Sequence, residues 1–378
     1  MKYSLRVATV AGIDINLHAS FVLVLGLGAW PWLMWGARGA LFGAGMSLLI
    51  FACIALHELG HSLVAKAFGI PVTDITLTPI GGVAILKDRP KTPTQELLIA
   101  IAGPAVNVLL AAIFGGLGVA LVGTDGLAEA SRTLMREPPR AEHIWVLLIP
   151  ANLGLAAFNM LPALPMDGGR VLRATLSYVF SPEQATRIAA VVARVVAVGF
   201  VALYAFVPNT TPMLPFIAVV VFFGAGAEVR EAKVNRVLSL IRAGDVVTPY
   251  APRFEPGTTL GQAMQTLMVS PLPVFAVELG GRLVGVARRE DLLQAAMTKG
   301  AWGFVSTVLV RDVPTVDPFD TLDDARSKMQ RADVRAAAVM RGGVFLGLVT
   351  ELELAQAMEV AERLKATQTR DSLGREVR

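Results

Sequence analysis

The stretch LIFACIALHELGHSLVAKAFGI, residues 49–70, places three ionisable side chains inside an apolar run. About 20 consecutive apolar residues cross the hydrocarbon core of a bilayer, and ionisable groups inside such a run are candidates for function because burying them is costly. His57, Glu58 and His61 fit the pattern H-E-x-x-H. Because helical residues four apart share a face, His57 and His61 can bind one metal ion, with Glu58 beside them to accept a proton from water.

The whole chain has the composition of an integral membrane protein. Of its 378 residues, 54% are hydrophobic and 17% are charged, against about 25% charged in soluble proteins. Six segments are predicted to span the membrane: 17–36, 41–69, 95–122, 143–161, 187–207 and 211–228. The formal net charge is only +4, so the basic residues near span ends indicate topology and no nucleic-acid partner is expected.

Lysine and arginine predict the orientation of the spans. If six spans are correct, four basic groups fall on one side: Lys2 and Arg6; Lys66, Lys87, Arg89 and Lys91; Arg170, Arg173 and Arg187; Arg230, Lys233 and Arg236. The positive-inside rule makes that side cytoplasmic. We therefore expect a multi-pass protein of the cell inner (cytoplasmic) membrane with both termini in the cytoplasm.

Two regions outside the spans predict β structure. The segment PVTDITLTPIGGVAIL, residues 71–86, is rich in β-branched residues and predicts two strands joined at Gly81–Gly82, lying against the membrane domain. Further on, PVFAVELGGRLVGVARREDLL aligns without a gap with RAAAVMRGGVFLGLVTELELA, 62 residues later. Each repeat predicts a helix, two strands with a glycine turn, and a second helix.

The predicted fold is a polytopic α-helical membrane protein with six transmembrane helices and a short membrane-associated β segment, followed by a cytoplasmic α+β tandem. The expected domain bounds are 1–228 for the membrane domain, 229–241 for a linker, 242–300 and 301–365 for the repeats, and 366–378 for a disordered tail.

A third metal ligand is needed, since a catalytic zinc site usually has three protein ligands and an open position. His18 and His143 open predicted spans and do not reach the depth of His57. Asp167 does, because the second and fourth spans both run outside to inside and converge near the cytoplasmic face.

The chain around Asp167 predicts a broken helix. In NMLPALPMDGGR, residues 159–170, Pro162 and Pro165 interrupt the helix and Gly168–Gly169 permit a tight turn. The alternative role for Asp167 is the N-cap of a helix that starts at Gly168. The two roles do not exclude each other.

HELGH, IAGPAVN (residues 101–107) and NMLPALPMDGGR together resemble the site-2 protease family of intramembrane zinc metalloproteases, over about residues 10–228. The last motif is similar to that family's N-x-x-P-x-x-P-x-D-G pattern. The resemblance implies that His57, His61 and Asp167 bind one zinc ion per chain and that Glu58 is the general base.

The resemblance also implies contacts with substrate. Asn159 would steady the oxyanion or the substrate backbone, Asn107 would face the substrate, and the loop of Gly81 and Gly82 would receive the substrate as an extended strand. The alternatives are interhelical hydrogen bonding for the two asparagines and a plain hairpin turn for the two glycines.

The tandem repeat resembles a pair of cystathionine-β-synthase (CBS) domains, as in one branch of the site-2 proteases. Such pairs often bind adenine nucleotides, through a Ser or Thr three residues before an Asp. Here Asp291 follows Arg288 and Thr350 precedes Glu353, so each repeat keeps only half of the pattern. The alternative is a module for homodimerisation or substrate docking without a ligand.

Three functions are compatible with these features. The expected function is zinc-dependent intramembrane endopeptidase activity, in regulated intramembrane proteolysis of a single-span substrate such as a membrane-anchored regulatory protein, with modulation by the CBS pair. The second is a transporter or channel gated by that pair, with His57, Glu58 and His61 along an ion path. The third is an inactive receptor, against which the presence of all four expected catalytic residues argues.

Overall fold

The structure, a computed structural model, describes residues 4–79, 81–86, 89–247 and 251–360; the predicted disordered tail lies outside these ranges. The chain divides into two compact units, residues 1–230 and 231–378. The elements of the first unit are β1 (Ser4–Val10), β2 (Ile13–His18), α1 (Phe21–Ala29), α2 (Gly36–Ala67), β3 (Val72–Thr78), β4 (Gly81–Leu86), α3 (Pro93–Thr133), α4 (Glu142–Asn159), α5 (Asp167–Leu176), α6 (Pro182–Phe206) and α7 (Met213–Leu240), which continues across the boundary.

A four-stranded sheet packs on α2, in the order β1-β2-β3-β4. The two predicted strands are present as β3 and β4, and β2 pairs with β3 in parallel. The predicted position of the turn is wrong, because Gly81 and Gly82 already belong to β4 and pair with Thr78 and Leu77. Apolar residues at every second position turn one face of the sheet towards α2, because side chains alternate between the faces of a strand. Ile13, Ile75 and Leu77 form that core with Leu59 and Ala65 of α2.

The start of the first predicted span, 17–36, is corrected by the structure. The chain is a β-strand as far as His18, and α1 has nine residues, which gives a length of about 14 Å. Helix α1 alone is therefore shorter than the roughly 30 Å of a hydrocarbon core. A 3₁₀ turn over Trp30–Trp35 then leads into α2. The alternation in IDINLH is a strand signal at the edge of an apolar run, and the run concealed it.

By length and composition, four helical segments among the described residues can cross a membrane: Phe21–Ala67, Pro93–Thr133, Pro182–Phe206 and Met213–Leu238. The first covers most of the first two predicted spans, and α4, at the position of the fourth, is not among them. The number six therefore stays a prediction. Large apolar side chains on these helices point outward, as in Leu23, Val195 and Phe223, which are 64–68% exposed; lipid is the solvent that suits them.

The second unit contains the two repeats. Its elements are α8 (Ala243–Val246), β5 (Arg253–Phe254), α9 (Leu260–Val269), β6 (Val274–Leu279), β7 (Arg282–Arg288), α10 (Arg289–Lys299), β8 (Thr315–Val316), α11 (Leu322–Ala332), β9 (Ala336–Arg341), β10 (Val344–Thr350) and a helix over 351–360. Each repeat builds a three-stranded mixed sheet, in the orders β5-β6-β7 and β10-β9-β8. The predicted pattern of helix, strand, glycine turn, strand and helix is confirmed. Residues 229–240, within the predicted linker, continue α7 as a helix.

Candidate metal centre

Three predicted ligands meet in the first unit. Nε2 of His57 and Nε2 of His61 lie 3.1 Å apart, and the Asp167 Oδ2 atom lies 3.2 Å from the first and 3.1 Å from the second. All three residues are buried, with 5–8% of their surface exposed. Among the described residues they form the one group of side chains able to hold a metal ion.

The hydrogen bonds at Nδ1 of the two imidazoles indicate where the lone pairs of the rings lie. Nδ1 of His57 lies 2.5 Å from the amide oxygen of Asn107, and Nδ1 of His61 lies 2.6 Å from the main-chain oxygen of Ile99. Both partners are acceptors, so each Nδ1 donates, and in a neutral imidazole the lone pair is then on Nε2. Two nitrogen lone pairs and a carboxylate oxygen therefore converge, an arrangement that a cation stabilises.

The spacing of the three atoms fits zinc. Zinc bonds of about 2.0–2.1 Å to nitrogen and oxygen separate the ligands of a tetrahedral site by roughly 3.3 Å. The observed separations of 3.1–3.2 Å are close to that edge length. The residues present thus fit a zinc ion in both donor chemistry and spacing.

Two glycines bring Asp167 to the imidazoles. Helix α4 ends at Asn159, and α5 begins at Asp167 with Met166 at its N-cap. Asp167 is thus the first helical residue, and the N-cap role considered for it belongs to Met166. A Cβ on Gly168 would lie 2.3 Å from the carbonyl oxygens of the preceding turn, and one on Gly169 would lie 2.3 Å from the Leu164 nitrogen. Only glycine lets α5 start this close to the turn.

Helix α3 approaches the same imidazoles through Gly103. A Cβ there would lie 2.3 Å from His61 Nε2 and 2.7 Å from His57 Cε1. Any side chain at this position would enter the space between the ligands, so Gly103 shapes the metal centre without offering a ligand atom.

Glu58 lies beside the centre and against the sheet. It is half-buried on α2, and a Cβ added to Gly82 would lie 2.5 Å from its Cγ atom. Gly82 belongs to β4, which is an edge strand of the sheet, and Gly81 adopts a φ of +140°. Glu58, the predicted general base, and β4, which carries the glycines predicted to receive the substrate, are therefore neighbours.

The two predicted substrate-facing asparagines have different surroundings. Asn107 is fully buried and bonds His57 of α2 and Asn152 of α4, which is the interhelical bonding considered as its alternative role. Asn159 is half-buried at the end of α4, and no side-chain hydrogen bond of it is found in the described part of the chain. Asn152 was missed by sequence reasoning, although an amide inside the apolar run IPANLGL was a signal.

An ion cluster that the sequence did not predict holds α5. The guanidinium of Arg173 lies 2.7 Å from Glu96 of α3 through Nε and 2.5 Å from Glu228 of α7 through Nη1. The three side chains are 17–28% exposed. Because Asp167 is on the same short helix, this cluster ties the third metal ligand to two long helices.

Replacement of Arg173 by methionine is expected to lower the free energy of unfolding by about 2 kcal/mol, between the ~0.2–1 kcal/mol of exposed ion pairs and the ~3–5 kcal/mol of buried ones. The reason is that Glu96 and Glu228 would face each other without a cation. The thermal unfolding midpoint of the solubilised protein measures this. The control is Arg132→Gln, because the side chains of Arg132 and its partner Glu129 are 75% and 61% exposed. Equal shifts in the two variants would contradict the prediction.

In the second unit, the predicted nucleotide residues bond their own neighbours. The Asp291 carboxylate accepts from Arg288 Nε at 2.5 Å and raises the pKa of that guanidinium. The hydroxyl of Thr350 donates to the Glu353 carboxylate, as does its main-chain N–H at 2.8 Å. Thr350 and Glu353 line a cleft between the repeats, together with Pro252, Leu272, Val274, Ala276, Phe345, Gly347 and neighbouring residues. Asp291 is not among the residues of that cleft.

Comparison with known proteins assigns both regions. The model of peptidase family M50 matches residues 45–203, and the CBS-domain model matches residues 243–298 and 305–360. A zinc metalloprotease of Methanocaldococcus jannaschii is 30% identical over 373 residues, which cover 96% of this chain and 98% of the relative. Rip3 of Mycobacterium tuberculosis is 29% identical over 383 residues, covering 95% and 94%. The solved site-2 protease of Methanocaldococcus jannaschii is 34% identical, with a TM-score of 0.43, over 60% of this chain and 96% of that one.

The matched M50 region contains the whole triangle of His57, His61 and Asp167. The first relative matches along nearly its entire length, membrane domain and repeats together. The chain therefore belongs to peptidase family M50, the site-2 protease family of zinc metalloproteases, and carries a pair of CBS domains.

Proposed function

We propose that this chain is an intramembrane zinc endopeptidase that hydrolyses peptide bonds within or near transmembrane segments of membrane-anchored regulatory proteins. The observation that carries the proposal is the convergence of three buried electron-pair donors, His57, His61 and Asp167, 3.1–3.2 Å apart, with Glu58 next to them.

His57, His61 and Asp167 would hold the zinc ion, which when bound supplies Lewis-acid chemistry, activating water and polarising the carbonyl to be attacked. Glu58 accepts the proton of the attacking water and returns it to the leaving amine. Asn159 steadies the oxyanion or the substrate backbone near the scissile carbonyl. Helical hydrogen bonds shield the carbonyls of a transmembrane substrate, so the substrate unwinds before cleavage.

The edge of β4 receives the unwound substrate as an added strand, which hydrogen-bonds through its main chain. The position of Gly82 against the Glu58 side chain supports this placement, since a strand next to β4 would run past the general base. Gly81 and Gly82 leave room there, because neither has a side chain. Asn107 serves substrate recognition only indirectly, since both its amide oxygen and its amide nitrogen are bonded within the protein.

The membrane domain, 1–228, crosses the cell inner membrane six times, with both termini in the cytoplasm. The repeats, 242–300 and 301–365, then lie in the cytoplasm. This arrangement follows from the positions of lysine and arginine. It puts the C-terminal end of α4, and Asp167 after it, near the cytoplasmic face, from which water reaches the metal centre.

The CBS pair modulates proteolysis, either by binding an adenine nucleotide in the cleft that Thr350 lines or by forming a homodimer or docking the substrate without a ligand. The engagement of Thr350 by Glu353 and of Asp291 by Arg288 favours the second alternative, because the polar groups of the nucleotide pattern are already bonded within the protein.

The test uses the full chain in nanodiscs. Zinc content is measured together with cleavage of a single-span model substrate, with and without ATP or AMP. We expect one zinc ion per chain, loss of cleavage on chelation and recovery on adding zinc back. A chain without zinc, or cleavage that survives complete chelation, would overturn the proposal. A nucleotide that changes the cleavage rate would favour the first alternative for the CBS pair.

A further inference from the structure

A chain of buried hydrogen bonds runs from His57 through two other helices. We propose that Asn107 of α3 and Asn152 of α4 are positioning residues, which hold the His57 ring in the tautomer and orientation that bind metal. The inference rests on the proposed function only in taking the triangle as a zinc centre. Neither residue touches the metal position, and Asn152 touches no ligand.

The donor–acceptor direction of these hydrogen bonds is fixed at Asn152, the residue farthest from His57. The Asn152 Nδ2 group donates to the main-chain oxygen of Leu148 at 2.9 Å and to Cys53 Sγ at 3.4 Å. Because the carbonyl of Leu148 can only accept, the Asn152 amide cannot be reversed without placing two oxygens against each other. Its Oδ1 atom is therefore turned to Asn107 and accepts from Asn107 Nδ2 at 2.9 Å.

The fixed orientation of the Asn152 amide fixes the Asn107 amide as well, and Asn107 contacts the metal ligand His57. Since its Nδ2 group is committed to Asn152, its Oδ1 atom faces Nδ1 of His57 at 2.5 Å. That oxygen requires a hydrogen on Nδ1 and so leaves the lone pair on Nε2. A reversed Asn107 amide would present its N–H group to Nδ1, the imidazole would carry its hydrogen on Nε2, and that hydrogen would point at the metal position.

Because the two asparagines are buried, they can enforce one tautomer of His57. Asn107 and Asn152 are both 0% exposed, so water is not at hand to satisfy a reversed amide, and an unpaired polar group in such surroundings is costly. His61 needs no side-chain partner to fix its tautomer. Its Nδ1 donates to the main-chain oxygen of Ile99, and a carbonyl oxygen can only accept. The two ligands are thus oriented by different means, and only His57 depends on side chains that mutation can reach.

The experiment measures the zinc affinity of the full chain by competition with a chelator, together with the visible spectrum of the cobalt-substituted protein. Asn107→Leu is expected to weaken zinc binding by about 10–100-fold, as loss of an outer-shell partner does, and to shift the cobalt spectrum. Asn152→Leu is expected to weaken zinc binding by up to about tenfold, because Asn107 becomes free to reverse. Asn107→Asp keeps an acceptor for His57 but places its second oxygen against the Asn152 oxygen, so it is expected to restore only part of the affinity lost in Asn107→Leu.

The double variant separates positioning from general damage. If Asn152 acts through Asn107, Asn107→Leu with Asn152→Leu binds zinc as Asn107→Leu alone does, whereas independent effects would add. The control is Thr186→Val in α6, since Thr186 is also buried and its hydroxyl bonds only the main chain of its own helix, at Pro182; its zinc affinity should equal that of the wild type.

Two outcomes would overturn the inference: wild-type zinc affinity and cobalt spectrum in Asn107→Leu, or additive losses in the double variant. A wild-type chain that binds no zinc would instead overturn the proposed function, so the two failures are distinguishable.

Discussion

Replacement of Glu58 by glutamine is expected to lower peptide hydrolysis by about 10²–10⁴-fold while the zinc content stays that of the wild type. An amide cannot take the proton of the attacking water, and the Asp167 carboxylate is already engaged with the two imidazoles. Glutamine has nearly the shape of glutamate, so the contact with Gly82 should survive. The fold and the metal centre are therefore expected to remain intact.

The measurements are the cleavage rate of a single-span model substrate and the zinc content of the same preparation. Glu129→Gln serves as the control, because that glutamate is an exposed residue in the last turns of α3 and should change neither quantity. A Glu58→Gln protein that cleaves at the wild-type rate would remove Glu58 from the mechanism. If zinc is lost together with activity, Glu58 is a ligand and not the base.

Replacement of Gly103 by alanine is expected to weaken zinc binding by at least about tenfold, and proteolysis with it, the loss that disturbing the surroundings of a metal site brings. The new methyl group would lie 2.3 Å from His61 Nε2 and 2.6 Å from His61 Cε1, closer than the 3.0 Å that real Cβ atoms respect. The imidazole would have to turn away or α3 would have to retreat, and either movement opens the triangle. Overpacking of this kind also costs about 1–3 kcal/mol of stability.

Gly116, on the same helix, provides the matched control. A Cβ there meets no atom within 4 Å, so Gly116→Ala should leave zinc affinity unchanged and raise helix stability by about 0.5–1 kcal/mol. Zinc affinity and the thermal unfolding midpoint are measured for both variants. Wild-type zinc affinity in Gly103→Ala would show that α3 does not confine the ligands as closely as the structure has it.

The metal ligands could be predicted from the sequence because their signals are local. HELGH places two imidazoles one helical turn apart, with a carboxylate next to the first of them. The prolines and glycines around Asp167 predict a turn. The structure adds the reason for the two glycines after Asp167: their missing side chains let α5 pack directly on the turn that follows α4.

The sheet and the polar contacts between helices could not be predicted in the same way. Strand β2 pairs with β3 across 60 residues, as in Asp14 with Asp74, and pairing at that distance leaves no mark in either strand alone. Arg173 counted only as a topology signal, yet it forms an ion cluster with Glu96 and Glu228. Asn152 gave a weak signal, because one amide in an apolar run does not name its partner.

The amino-acid sequence alone determined the HELGH motif and the Asp167 motif, the membrane character of the first part of the chain and the duplication of the last part, since motifs, hydropathy and repeats are properties of the chain read in order. Tertiary structure alone decided that the donor atoms of His57, His61 and Asp167 lie 3.1–3.2 Å apart and that Asn107 and Asn152 are hydrogen-bonded in a row behind His57. Those facts depend on hydrogen bonds and close contacts between separate helices, and such contacts exist only once the helices are packed.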